Sequence, residues 1–317
     1  MDKLRKVGLT ALAGTFAATS VQALEMSASG SAGFTYSSSD SDEVTGERFS
    51  FGDSITLSGS GETDMGWTVT ASYELDDGNT PYDDQTVSIA TDNGTFYVQT
   101  NAEKGGAVKL TPNAYGSASY SLAANQTAGL QGKHYADGLD SGKGSINLGY
   151  TNTFSGFDVA AGYTMGAAAN GSGDDLSVNV KYADLVDGLT LSVGYADLNQ
   201  DATDGITEQT ISASYAMGNI TFGVMDYQAD DDAASGTDYD GRHYGVSVQI
   251  NDDLAVSYDK SSSDKATTDV DEDISSFQAS YTMGNMTVKG HITRADNEGY
   301  TSGAEDEQKA IDVSWSF

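Results

Sequence analysis

The side chains here that could do chemistry are carboxylates, a few lysines and arginines, and three histidines, and their spacing builds no catalytic centre. His134, His243 and His291 are too scattered for a metal site that a sequence can reveal, and neither an HExxH nor a GxSxG run occurs. The pairs Gly132-Lys133 and Gly142-Lys143 lack the upstream glycine of a phosphate-binding loop. No catalytic residue is assigned. What remains is charge. Acids cluster at Asp40/Asp42/Glu43, Asp76/Asp77/Asp83/Asp84, Asp230/Asp231/Asp232, Asp269/Asp271/Glu272/Asp273 and Glu305/Asp306/Glu307. Such segments offer oxygen ligands that suit Ca²⁺, but none has EF-hand spacing, and a solvated acidic rim that draws cations is the favoured reading. The segment 101–144 differs, holding Lys104, Lys109, Lys133 and Lys143 against Glu103, Asp137 and Asp140.

The elements that hold these groups alternate apolar and small polar residues over about eight to ten positions, the period of a strand with one face in lipid and one in water. Leu189, Leu191, Val193 and Tyr195 alternate with Thr190, Ser192, Gly194 and Ala196, and Ile311/Val313/Trp315/Phe317 repeat the pattern. No helical period competes. Sixteen candidate strands follow, from 24–36 to 308–317. Short connections at 63–66, 92–94, 153–156, 184–188, 218–219, 251–253 and 284–285 alternate with long ones at 37–47, 76–84, 101–144, 166–174, 199–207, 229–241, 262–273 and 296–307. This rhythm predicts an all-β fold, a sixteen-stranded antiparallel transmembrane β-barrel of up-and-down order, because such a barrel has short turns at one rim and long loops at the other. Asn219-Ile220-Thr221 and Asn285-Met286-Thr287 match a glycosylation pattern but fall in the tight turns and are read structurally.

Composition agrees. Fifteen Lys and Arg against 47 Asp and Glu give a net charge of −32, which excludes a general nucleic-acid binder. Two prolines suit long paired strands, and the lack of cysteine means that stability comes from something large and cooperative. At the N-terminus Lys3, Arg5 and Lys6 precede an apolar run from Val7 to Ala18 and a small-x-small site at Val21-Gln22-Ala23. Residues 1–23 therefore read as a signal peptide, since the run is about half a spanning helix, and 24–317 as the barrel.

Tyrosines at strand ends on the apolar parity, such as Tyr36, Tyr73, Tyr150 and Tyr258, predict girdles at the two membrane boundaries. The opposite parity carries Ser, Thr, Asn and Gly with Arg48, Glu74, Asp158, Lys181, Lys289, Asp312, His243 and His291. Burying that many polar groups dry would cost a few kcal/mol each, so the interior is expected to hold water. The longest connection, 101–144, is the candidate to fold inward as a third loop. Its Lys104, Lys109, Lys133, Asp137 and Asp140 would then meet Arg48, Glu74, Lys181, Lys289 and His291 of the wall and set a transverse field on passing solutes. Arg242, Lys260, Arg294 and Lys309 fall on the lipid parity near the long-loop rim, where lipid phosphates would be their partners.

In these features the chain resembles the Gram-negative general porins, above all their sixteen-stranded, Gly- and Asp-rich members. The most specific element is the last strand, Ile311-Asp312-Val313-Ser314-Trp315-Ser316-Phe317, similar to the terminal-Phe signal that the family presents to the barrel-assembly machinery, with Trp315 and Phe317 as its aromatic members. Segment 101–144 matches the family's constriction loop by order and length. The resemblance implies an outer-membrane homotrimer in contact with lipid and lipopolysaccharide, exported through the periplasm. It also implies a water-filled pore for passive diffusion of small polar solutes and ions, with no resident cofactor, and the acidic rim adds the expectation of weak cation selectivity. The wall departs from many general porins in lacking an Arg cluster opposite that loop. Alternatives at this point are a substrate-specific channel and a non-channel surface β-protein such as an adhesin.

Overall fold

The computed structural model describes residues 25–41, 45–76, 84–100, 146–165, 174–183, 185–199, 205–231 and 237–317. Sixteen strands run in chain order. The first four are β1 (Glu25–Ser41), β2 (Thr45–Glu62), β3 (Thr68–Asp76) and β4 (Gln85–Thr91). Next come β5 (Gly94–Thr100), β6 (Ile146–Phe154), β7 (Phe157–Thr164) and β8 (Asp175–Tyr182). They are followed by β9 (Leu189–Asn199), β10 (Gly205–Met217), β11 (Ile220–Asp231) and β12 (Tyr239–Gln249). The last are β13 (Leu254–Lys265), β14 (Glu272–Met283), β15 (Met286–Asp296) and β16 (Glu305–Ser316). Each pairs antiparallel with its neighbours in sequence, and β1 pairs with β16 to close the barrel. Where both neighbours are in register, the ladder hydrogen bonds are satisfied inside the sheet, as hydrocarbon requires, while among the described residues β1 before Gly30 and β2 before Ser54 pair on one side only.

Tight turns set the register at the short-connection rim. Phe154 faces Phe157 across Ser155 (φ 52°) and Gly156 (φ 81°), the pair of left-handed residues that a two-residue hairpin with the right twist needs. Met217 and Ile220 pair across Gly218-Asn219, and Met283 and Met286 across Gly284-Asn285, so the sequence repeat is a repeated turn. Along each strand one parity faces outward and bears exposed apolar side chains, among them Phe51, Val193, Ile211, Val224 and Phe277. The other parity faces the lumen.

The sixteen candidate strands appear in the predicted order, but several run further at the long-loop rim than the sequence pattern suggests. β1 continues to Ser41, β2 begins at Thr45, β11 reaches Asp231, β13 reaches Lys265 and β16 begins at Glu305. Above the lipid no apolar face is required, so the apolar alternation stops while the backbone ladder continues. Segments 1–23 and 101–144 lie outside the described residues, and with them Lys104, Lys109, Lys133, Asp137 and Asp140.

At the seam, Gly30 N–H donates to Phe317 O and Phe317 N–H to Gly30 O, both at 2.9 Å. A Cβ on Gly30 would lie 2.7 Å from the Phe317 ring, so glycine is what lets the terminal aromatic lie flat on β1.

Candidate functional site

The lumen is the site that this architecture builds, and register orders its lining in rows. On β6–β9 one inward row is Thr151, Ala160, Asn179 and Gly194, and the row next to it is Thr153, Asp158, Lys181 and Ser192. Lys181 Nζ lies 3.0 Å from Asp158 Oδ2, and Thr153 Oγ1 donates to Asp158 Oδ1 at 2.6 Å. Asn179 donates its amide to Ser192 Oγ at 2.8 Å and to the Val193 carbonyl at 3.0 Å.

The β13–β16 wall, roughly opposite in the ring, is a denser polar network. Gln278 donates to Asp259 and accepts from Ser257 Oγ at 3.3 Å. Ser276 and Thr293 share a hydrogen bond of 2.7 Å, and His291 Nδ1 lies 3.0 Å from Thr293 Oγ1. The adjoining row sets Lys289 across from Asp312, whose Oδ2 accepts from Thr35 Oγ1 at 2.9 Å.

Arg48, Glu74, Asp158, Lys181, Lys289, Asp312, His243 and His291 all lie on the parity opposite the exposed apolar side chains of their strands. They are not one constriction. Arg48, hydrogen-bonded to Ser37 Oγ at 3.1 Å, pairs near the start of β2, whereas Glu74 faces Thr56, eight residues further along that strand. At the strand rise this is roughly 26 Å. Among the described residues Arg48 is the one inward-facing arginine, since Arg242 and Arg294 point out, so the wall here lacks an Arg cluster.

Two features of the lining were not anticipated. Glu208, Asp259, Glu272 and Asp306 form a set of buried inward carboxylates; parity carried past the last apolar residue of each strand would have found them. The inner face is also not polar throughout, which corrects the expectation of a lining made of small polar, charged and imidazole side chains. Leu198, Ile206, Met225, Tyr227 and Ala229 form an apolar cluster toward the long-loop rim. Beside it Lys265 Nζ lies 5.8 and 5.5 Å from the ring centres of Tyr239 and Tyr300, within cation–π reach. These side chains pack on one another, so apolar character on this stretch costs nothing in exposure.

On the outer surface Arg242, Lys260, Arg294 and Lys309 point away from the lumen, each with a carboxylate. Arg242 Nε is 2.5 Å from Asp226, Lys260 Nζ 3.3 Å from Asp273, and Arg294 and Lys309 both hold Glu307 at 2.6 and 2.5 Å. A surface groove of about 820 Å³ opens beside Arg242 over Val193, Ile211 and Tyr244. A charged side chain on a lipid-facing parity costs about 2–4 kcal/mol at mid-membrane and about 0–1 kcal/mol near the boundaries, so its cost depends on its depth. Among the described residues no cluster of three or more His, Asp or Glu is arranged to hold a metal ion.

Comparison with known proteins agrees with this geometry. A family model described as Gram-negative porin matches residues 8–300. A search of curated proteins finds no match. Among solved structures, an anion-selective porin from Comamonas acidovorans superposes with a TM-score of 0.71 at 15% identity, covering 93% of this chain and all of that one. Another porin gives 0.70 at 17% identity over 92% of this chain and all of the other. The outer-membrane protein OmpT of Vibrio cholerae gives 0.66 at 13% identity over 94% of this chain and 99% of its own. At these identities the structures share the fold, while the family model carries the membership. The chain belongs to the Gram-negative porin family, and is thus a channel-type β-barrel of the bacterial outer membrane rather than a member of an enzyme family.

Proposed function

We propose that the protein is a general diffusion pore, passing small hydrophilic solutes and ions with a weak preference for cations, and working as a homotrimer once residues 1–23 have been removed as a signal peptide. The observation that carries this is a closed sixteen-strand barrel whose inner parity is lined by charged and hydroxylated side chains. Sixteen strands enclose a lumen that side chains alone do not fill. The preference for cations rests on the net charge of −32 and on the acidic segments at the long-loop rim.

Residues 101–144 are assigned as the inward constriction loop, with Lys104, Lys109, Lys133, Asp137 and Asp140 as its charged members. Support comes from the sequence: this is the longest connection in the chain, and it carries lysines where the other long connections are acidic. Buried Glu208 and Asp259 on the wall would complement the lysines, an arrangement of charge opposite to a loop of acids facing arginines. Trp315 and Phe317, exposed at the seam, are assigned as the signal for the barrel-assembly machinery. The outward belt of Arg242, Lys260, Arg294 and Lys309 is assigned to lipid and lipopolysaccharide headgroups.

Refolded protein in a planar bilayer tests the reading. Stepwise openings of nanosiemens scale are expected, with a reversal potential of cationic sign under a salt gradient. A folded, heat-modifiable barrel that never conducts would overturn it.

A further inference from the structure

We propose that the inner wall of β6–β8 carries a weak transit site for small zwitterions, with α-amino acids as the chemical class. This rests on the channel reading above. The wall is recessed here because Ala160 offers only a methyl group between Thr151 and Asn179. The resulting niche has a volume of about 490 Å³ and is lined by Thr95, Thr151, Thr153, Asp158, Asn179 and Lys181. That is ample for a small amino acid and its water.

The niche presents both signs of charge side by side. Lys181 Nζ and Asp158 Oδ2 are 3.0 Å apart and keep 36% and 44% of their side-chain surface in solvent. Among the described residues Asp158 is the one ionic partner of Lys181, so an ammonium with three donors keeps capacity for a ligand. The second Asp158 oxygen takes the Thr153 hydroxyl, and the buried Asn179, whose nitrogen is committed to Ser192 and Val193, backs the niche behind the charged pair. An anion that approached Lys181 would meet Asp158, and a cation that approached Asp158 would meet Lys181. A neutral polar solute could hydrogen-bond to the pair but would gain no charge–charge attraction from it. A zwitterion whose opposite charges are separated by about the width of this pair lies antiparallel to it and engages both. Half-exposed charges in water bind weakly, which suits transit, because a solute must be held enough to enter and released readily enough to leave.

Glycine is the probe, since at neutral pH it is zwitterionic and carries no current. Single-channel conductance of the refolded pore is followed at constant KCl while glycine is titrated, with glucose of matched viscosity as control. A saturable fall with glycine is expected, against a fall with glucose that merely tracks viscosity. Asp158→Asn combined with Lys181→Gln is expected to raise the glycine half-saturation about tenfold or more. The exchange Asp158→Lys with Lys181→Asp is expected to keep it, because a zwitterion can bind in the reversed sense. A cross-strand pair that merely pins register predicts an unchanged glycine response in the neutral variant, and that result, or a glycine effect equal to that of glucose, would overturn the site while leaving the channel intact. A folded barrel with no openings would overturn the channel and the site together.

Discussion

Gly30 and Phe317 show how much of this molecule is decided by single contacts at the seam. The two residues exchange both backbone hydrogen bonds, and the aromatic ring occupies the space that a side chain on Gly30 would need. Gly30→Val is expected to destabilise the refolded barrel by about 1–3 kcal/mol through overpacking, read as a lower urea midpoint. On the opposite face of the same sheet, Gln278 donates to the buried Asp259. Gln278→Leu removes that donor and is expected to cost about 1–3 kcal/mol in the same assay, while Asp259→Asn combined with Gln278→Leu should recover part of the loss because no carboxylate is left to satisfy. Asp259 could be placed on the inner parity from sequence, between Tyr258 and Lys260. Its burial could not, because burial on a barrel wall depends on what else lies in the lumen, and that is not written in the strand itself.

Strand β10 illustrates what an element declares about itself and what it withholds. Ile211 faces Val193 of β9 on the outer surface, and its neighbour Thr210 faces inward. Such alternation was legible over every span that crosses lipid, because there a misplaced polar group is penalised at each second position. Ile211→Arg is therefore expected to cost about 2–4 kcal/mol of barrel stability, whereas Thr210→Arg should leave the urea midpoint nearly unchanged and lower conductance by narrowing the pore. Strand ends were illegible for the same reason. Ala229, Asp230 and Asp231 of β11 hydrogen-bond in register with β10, yet above the membrane neither face needs to be apolar, so nothing in their types separates a strand from a loop. Turns were the best-read parts: Gly218 at φ 63° and Gly284 at φ 60° adopt the left-handed backbone that their sequence motif forecasts.

The whole molecule acts on solutes through its summed charge as well as its width. Because the full chain carries a formal charge of −32 and nearly all of its acids lie outside residues 1–23, the pore is expected to favour K⁺ over Cl⁻ at about 0.1 M salt and to lose much of that preference at about 1 M, as the screening length falls from about 10 Å to about 3 Å. Reversal potentials at the two concentrations measure it, and a ratio that does not move with salt would assign selectivity to close contacts at the constriction. The seam has a consequence at this scale too. Ser31 pairs with Ser316, so the contact that closes the cylinder joins positions almost a full chain length apart. Loop-closure entropy must be met before that pairing returns anything, so closure is expected late in folding. A chain that stops one strand early keeps two open edges ready to recruit strands from its neighbours. The pairing that seals the pore therefore also hides the two edges on which a barrel lacking β16 would stick to its neighbours.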